Sequence, residues 1–279
     1  KMKKISASDE PTLQEIGKIK DVIIPLGEAA LLLASRDRPD ISLDRYRKHL
    51  SQITQRVEES YLEKKQTDTK QIDILKSVLV SEYGYCGDTD SYDSLQNANL
   101  IQVIDRRKGL PITLGIIYIH AARAQGWNIE GLNFPGHFLL RIEDGADRTI
   151  FDPFNDCKTI ETPDMRALIK KTLGNNAELS ANHYRAASNR EILIRLQNNK
   201  KIRLLKSKKI TEALTVVESM LEFSPSSPEI WYEAGILHKY LGSLQAAIIA
   251  FNHCYDISTS TNQKHQVTQI LNEIRNSLN

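Results

Sequence analysis

A histidine and an aspartate stand fifteen residues apart in the middle of the chain, at His137 and Asp152. The histidine begins one predicted strand and the aspartate ends the next, with a predicted loop of about five residues at 143–147 between them. Such a hairpin would bring the imidazole within hydrogen-bond reach of the carboxylate, roughly 2.6 to 3.2 Å. A histidine oriented by an aspartate is the acid–base half of a catalytic triad. The alternative is a buried histidine that needs a carboxylate partner for structural reasons.

An apolar helix precedes these strands. Gly109-Leu110-Pro111 opens it, residues 112–125 continue it, and Gly126 ends it. Residues 128–133 predict a first strand, and Pro135-Gly136 predicts the turn before the strand of the histidine. The sequence therefore predicts one buried helix followed by a small antiparallel meander.

This order of helix, histidine strand and aspartate strand resembles the transglutaminase-like (papain-like) cysteine enzymes. In that superfamily the nucleophilic cysteine follows a glycine at the helix start, about fifteen residues before the glycine that ends the helix. The corresponding position here is Pro111. The phrases RRKGLPITL, FPGHFLLR and DPFN resemble more narrowly the bacterial SirB-type family, which joins such a domain to tetratricopeptide (TPR) repeats. The resemblance implies an α+β fold: a helical lobe, a small antiparallel sheet of transglutaminase-like type, and an all-α TPR-like tail.

The chain offers few substitutes for the missing nucleophile. Cys157 follows the aspartate on the wrong side of the hairpin, Cys86 lies in a loop that could fold over the site, and Cys254 falls on the apolar face of a predicted repeat. Most free cysteines are small core hydrophobes. Thr113 lies two residues past the nucleophile's position and faces roughly 200° away on a helix. Metal-ligand spacings and phosphate-cradling glycine loops are absent from the sequence, so we expect no metal and no cofactor.

The helical lobe supplies candidate binding residues around the predicted pocket. Tyr92 and Asn97 match the SirB-type phrase and are expected to fix the acidic loop at residues 88–94. Arg106 and Arg107 begin a three-residue basic run that predicts solvated surface or an ion-pair partner for that loop. A phosphate or nucleic-acid site is disfavoured, because no wider basic stripe or aromatic interleaving accompanies the run. Pro111 completes this candidate set.

The last third of the chain shows a repeat of 34 residues. Ala213 and Ala247 pair at that spacing, and Trp231 begins the clearer repeat, which resembles the TPR pattern of bulky and small residues. Residues 263–278 predict a capping helix. We place the domains at 1–188 and 189–279, and expect Tyr232 and Lys239 on the surface of the tail that binds a partner.

Composition places the chain among ordinary globular proteins. Hydrophobic residues make up 41% and charged residues 26%, and the net charge of +2 predicts no nucleic-acid partner. There is no apolar run of about 18 residues, so we expect no membrane span. Three cysteines far apart predict a reducing compartment, the cytoplasm, although an organellar lumen such as the plastid stroma stays open.

Two functional hypotheses follow from these residues. The first is a non-catalytic interaction or regulatory protein on a degenerate transglutaminase-like scaffold, which binds a protein or peptide through its tail, its relic cleft or both. The alternative is a cysteine-protease-like hydrolase or amide transferase that uses His137 and Asp152 with an unidentified nucleophile. The partner, the substrate and the oligomeric state stay open.

Overall fold

A computed structural model describes residues 10–278, and these form two compact units. The larger unit is Asp21–Leu196. The smaller unit joins the described residues up to Lys20 with those from Gln197 onward. The first helix, α1 (Leu13–Lys18), belongs to the smaller unit and begins with a capping box between Thr12 and Glu15.

Helices with apolar residues at spacings of three and four form the first half of the larger unit. In α3, for example, Leu50, Ile53 and Val57 are all buried. The helices are α2 (Leu26–Ser35), α3 (Asp44–Lys64), α4 (Gln71–Leu75), which continues as a π-helix over Lys76–Glu82, and α5 (Leu100–Arg106). Short 3₁₀ turns lie at Asp21–Ile23, Leu95–Ala98 and Ala181–Tyr184.

The central helix of this unit is α6 (Pro111–Ala124), and its side chains are buried on nearly every face. Proline suits its first position, where a backbone N–H would have no helical acceptor. Gly115 allows close packing on the sheet, because a Cβ there would collide with the ring of Phe138. Gly126 ends the turn after the helix in the left-handed region, with φ 73°. The predicted helix and both of its boundary signals are confirmed.

The strands of residues 10–278 form two sheets. β1 (Cys86–Gly87) and β2 (Lys108–Gly109) pair in parallel, and the other sheet has the antiparallel order β3-β4-β5-β6. Its strands are β3 (Asn128–Leu132), β4 (Leu139–Asp144), β5 (Asp147–Asp152) and β6 (Lys158–Thr159). The predicted five-residue loop is wrong: Asp144 pairs with Asp147, so Gly145-Ala146 alone turns the chain. The predicted strand start at His137 is also wrong, since β4 begins at Leu139.

The remaining elements are helical. α7 (Thr162–Leu173) packs Met165 and Ile169 against Leu139 and Phe134 of the larger unit. The others are α8 (Asn189–Lys206), α9 (Ile210–Phe223), α10 (Pro228–Tyr240), α11 (Leu244–Ile257) and α12 (Thr261–Leu278). In the smaller unit, Ala247 and Phe251 are buried with Val267 of the last helix. The α+β class with a helical C-terminal region is therefore confirmed.

Among residues 10–278, no helix is both long enough and apolar enough to cross a bilayer.

Candidate functional site

His137 lies two residues before β4 and is half-buried. The ladder pairs Leu140 with Phe151, so its continuation would set Leu139 opposite Asp152. The histidine is therefore displaced by two residues from the position that faces the aspartate. Burial lowers the pKa of His137 below its ordinary value, and the charge of Asp152 only partly offsets that effect.

The carboxylate of Asp152 is buried and serves the turn that follows it. Its Oδ1 accepts from the backbone N–H of Phe154 at 2.8 Å, and its Oδ2 accepts from Nδ2 of Asn155 at 2.6 Å. Within the described part of the chain, no hydrogen bond joins this carboxylate to His137. The expected direct bond is therefore wrong, because the tight hairpin shifts the register and an aspartate turn occupies both oxygens.

Arg195 of α8 holds the loop that carries the histidine. Its guanidinium donates to the carbonyl of Phe134 at 3.2 and 3.1 Å and to the carbonyl of His137 at 2.7 Å. Its Cζ lies 5.5 Å from the ring centroid of Phe138. Burial lowers the pKa of Arg195 below its ordinary value. The arginine thus fixes the backbone on both sides of the turn from which the imidazole extends.

The start of α6 contains no nucleophile. Pro111 occupies the first helical position, after Leu110 as the N-cap. The nearby hydroxyl of Thr113 is fully buried and donates to the carbonyl of Asn97 at 2.7 Å. The same carbonyl accepts from the backbone N–H of Leu110 at 3.2 Å. The Asn97 backbone therefore anchors the helix start, and the hydroxyl of Thr113 is already engaged.

An ion pair between the buried Asp88 and the partly exposed Arg106 holds the acidic loop against α5. Arg106 donates from Nη2 to Oδ2 of Asp88 at 2.6 Å and from Nη1 to Oδ1 of Asn97 at 2.8 Å. The aspartate also accepts from the backbone N–H of Ser91 at 3.0 Å and from its hydroxyl at 2.8 Å. The bond from Arg106 holds the pKa of Asp88 well below its usual range. Arg106 therefore is an ion-pair partner for the acidic loop, one of the two roles predicted for the basic run.

Tyr92, within this loop, presents an exposed aromatic surface. Its ring meets that of Phe154 edge-on, with centroids 5.6 Å apart. The backbone N–H of Gly87 donates to the Phe154 carbonyl at 3.2 Å, and a Cβ at that glycine would collide with the ring. The predicted Tyr92 lies near Arg195, which holds the loop of His137.

Among residues 10–278, none of the three cysteines forms a hydrogen bond with His137. The thiol of Cys157 is buried and donates to the hydroxyl of Tyr118 at 2.9 Å, and burial raises its pKa to about 12. Burial also raises the pKa of Cys254, in the smaller unit, to about 11. Both thiols therefore stay protonated at neutral pH and are poor nucleophiles. Cys86, in β1, is partly exposed.

Arg107 belongs to a different cluster from Arg106. It follows α5 in the left-handed region, with φ 62°. Its Nη1 contacts Nε2 of His49 at 2.5 Å and donates to the hydroxyl of Tyr85 at 2.6 Å. Burial, together with the charge of Arg107, lowers the pKa of His49 to about 4, and burial raises the pKa of Tyr85 far above its ordinary value. The guanidinium of Arg107 therefore contacts two neutral side chains, those of His49 and Tyr85.

The two predicted residues of the tail lie on α10 in the smaller unit. The ring of Tyr232 meets that of Phe251 edge-on at 5.8 Å. The ammonium of Lys239 pairs with Glu273 of α12 at 3.0 Å. Both side chains thus connect neighbouring helices of the tail, and their role in partner binding stays a prediction.

Sequence reasoning missed two residues of these clusters. Arg195 is a charged residue between Ile192 and Leu196 on an otherwise apolar helix face, and this pattern was the available signal. His49 lies beside the apolar stripe of α3 and meets Arg107 across 58 residues of sequence. No local pattern connects the members of that second pair.

Comparison with known proteins gives a family match over residues 44–198, described as the transglutaminase-like superfamily. The UPF0162 protein of Xylella fastidiosa (strain Temecula1) is 28% identical over 95% of each chain. The UPF0162 protein of Vibrio cholerae is 26% identical over 88% of this chain and 92% of its own. These relatives therefore extend through the tail as well as the matched domain.

A more distant relative shares a short segment. Mouse F-box only protein 21 is 36% identical over 84 residues, which are 30% of this chain and 13% of that protein. No solved structure gives a significant match.

Proposed function

This chain belongs to the transglutaminase-like superfamily, and we propose that it uses the fold without catalysis, as a regulatory protein that binds a protein partner. The observation that carries the proposal is Pro111 at the first position of α6. Acyl transfer in such enzymes needs a thiolate at this helix start, where the helix N-terminus lowers the thiol pKa and a histidine accepts the proton. Proline can neither attack nor be activated.

The surroundings of His137 also support a non-catalytic function. The carboxylate of Asp152 is engaged by its own turn, so it does not hold the imidazole in one tautomer. A general base acting on water alone contributes about 10²–10⁴-fold, which is well short of the roughly 10⁶-fold expected of most enzymes.

The helical tail supplies the surface that we propose for the partner. We interpret it as a TPR-type module in which α8, α10 and α12 hold equivalent positions. Ile202 and Ile236 are 34 residues apart and stay 47% and 39% exposed. Ile270 follows at the same spacing and is partly buried. A row of isoleucines at one repeat position offers an apolar track for a bound segment.

Charge near this row suggests the chemistry of the partner. Lys206 and Lys208 are exposed at the end of α8, a few residues from Ile202. We therefore propose a partner segment that presents apolar side chains for the isoleucines and acidic side chains for the lysines.

The test places a photo-crosslinking amino acid at position 236 and, as a matched control, at Ile249 of α11, which is 58% exposed. We expect one defined crosslinked protein from position 236 only, and expect Ile202→Ser in the same chain to weaken it. Crosslinks of equal yield from both positions, or none from position 236, would contradict the proposed surface.

One observation favours the alternative, a hydrolase or amide transferase. The lowered pKa of His137 keeps its imidazole neutral near pH 7, which is the form that accepts a proton. The two functions separate by turnover of a glutamine-containing peptide, measured as ammonia release in water alone and with an added amine. Activity that persists without any cysteine but disappears in His137→Ala would establish water-mediated hydrolysis and overturn the non-catalytic proposal.

A further inference from the structure

The three basic residues at 106–108 have three different environments. Arg106 pairs with the buried Asp88 at 2.6 Å, and Lys108 pairs with Asp90 at 3.3 Å. Arg107, between them, forms no ion pair with any described residue. A guanidinium without a carboxylate partner, held in a fixed position, is a ready site for an anion.

Two neutral groups hold one side of the Arg107 guanidinium. Nη1 contacts Nε2 of His49 and the hydroxyl of Tyr85, and the Cζ atom lies 5.0 Å from the Tyr85 ring centroid and 5.8 Å from that of Tyr83. Nε and Nη2 donate to nothing in the part of the chain that the structure describes. These two nitrogens form the planar edge that binds both oxygens of a carboxylate or phosphate.

The guanidinium lines a cleft of about 390 Å³ between α3 and the end of α5. This volume lies within the range of about 300–1,000 Å³ typical of small-molecule sites. The stripe of α3 that faces the cleft consists of residues one helical turn or two apart: Arg45, Lys48, His49 and Gln52. The rest of the lining is Tyr46, Ile104, Asp105 and Arg107.

The charges of the cleft leave a positive excess. Asp105 is the lining carboxylate, and it is already engaged by Arg45 and by the hydroxyl of Tyr46 at 3.0 Å. Lys48 is exposed and, like Arg107, has no ion-pair partner among the described residues. Two cations therefore remain uncompensated in one concave site.

We propose that this cleft binds a small ligand through an oxyanion group, a phosphate or a carboxylate, with the free edge of Arg107 as the principal donor and Lys48 as the second charge. Tyr46 and Ile104 are the apolar members of the lining. The proposal concerns a surface other than the tail, so it stands or falls independently of the partner-binding function.

The test titrates the full chain with sodium phosphate and, separately, with sodium succinate, at a constant ionic strength set by sodium chloride. Calorimetry measures affinity, and the ¹H–¹⁵N signals of arginine Nε groups report the site. We expect saturable binding and a shift of the Arg107 Nε signal. The anion that binds more tightly identifies the oxyanion class, and failure of both to bind would overturn the proposal.

Matched variants separate this site from general charge effects. Arg107→Asn suits the left-handed backbone, and loss of its charge-assisted bonds should weaken binding about ten- to hundredfold. Lys108→Gln removes the neighbouring charge outside the cleft and should leave the affinity unchanged. Parent-like affinity in a folded Arg107→Asn, or a loss in Lys108→Gln as large as in Arg107→Asn, would overturn the assignment.

If Arg107→Asn does not fold, reversing the charge of the exposed Lys48 still tests the proposal. Lys48→Glu changes only a surface side chain, and it should reduce binding by about tenfold or more, because it replaces an attraction by a repulsion. Unchanged affinity in Lys48→Glu would refute the site.

Discussion

Replacing His49 by a residue that does not titrate should reduce the loss of folding stability between about pH 7 and pH 5. The folded pKa is about 4, against an ordinary value of 6.5, because burial and then Arg107 disfavour the charged imidazole, with Asp105 opposing them. At this histidine the folded protein therefore binds fewer protons than the unfolded chain. The stability that the neutral His49 contributes is present above pH 6.5 and is lost as pH falls towards 4.

The size of this effect follows from the two pKa values. Between about pH 7 and pH 5, linkage gives a loss of about 2 kcal/mol in the free energy of unfolding from this histidine alone. His49→Gln keeps an acceptor for Arg107 and does not titrate. The variant should therefore lose about 2 kcal/mol less than the parent over the same pH interval.

Urea unfolding followed by tryptophan fluorescence measures the difference. Trp231 lies in the smaller unit, so a Trp231→Phe background leaves Trp127 as the reporter of the unit that contains His49. His120 and His137 also have lowered pKa values and contribute to both proteins alike. Parallel pH profiles for parent and His49→Gln would refute the reasoning.

Three further outcomes are expected from single changes. Pro111→Cys in a cysteine-free background should alkylate faster near neutral pH than a thiol on an exposed loop, because the helix N-terminus lowers the thiol pKa; equal rates measured with iodoacetamide would count against the assigned position. Thr113→Val should cost about 1–3 kcal/mol in urea unfolding, because the buried hydrogen bond to the carbonyl of Asn97 is lost, and a cost near zero would contradict the anchoring role. Ala247→Leu should cost roughly 1–3 kcal/mol by overpacking a fully buried position, whereas the exposed Gln245→Leu should not lower the melting temperature.

The central helix could be predicted because its signals are local. Proline at position 111 and Gly126 mark its ends, and the apolar run between them leaves little choice of structure. The buried periodicity of α3 is equally local. These features depend on backbone preference and burial, which are properties of neighbouring residues.

The register of the hairpin could not be predicted in the same way. Its acidic tip reads as a loop, yet Asp144 accepts from the backbone N–H of Gln71 at 3.0 Å and Asp147 pairs with Lys70 at 2.8 Å. Both partners lie at the start of α4, and Gln71 is 73 residues before Asp144. With these contacts, the strand pairing extends as far as the two-residue turn. The displacement of His137 from Asp152 therefore follows from partners that no local window contains.

The hydrogen bonds from Arg195 to the carbonyls of Phe134 and His137 have a consequence for the order in which the chain folds. The arginine reaches back 58 residues to the carbonyl of His137, so residues 134–137 cannot be secured until α8 has been synthesised and has docked. The β4–β5 hairpin joins two strands that are adjacent in sequence through a two-residue turn, and hairpins of this kind form within microseconds. We therefore expect amide protection in pulse-labelled refolding to appear at Ile142 before it appears at Phe134. Protection of both amides in one step would mean that the Arg195 hydrogen bonds and the hairpin form together.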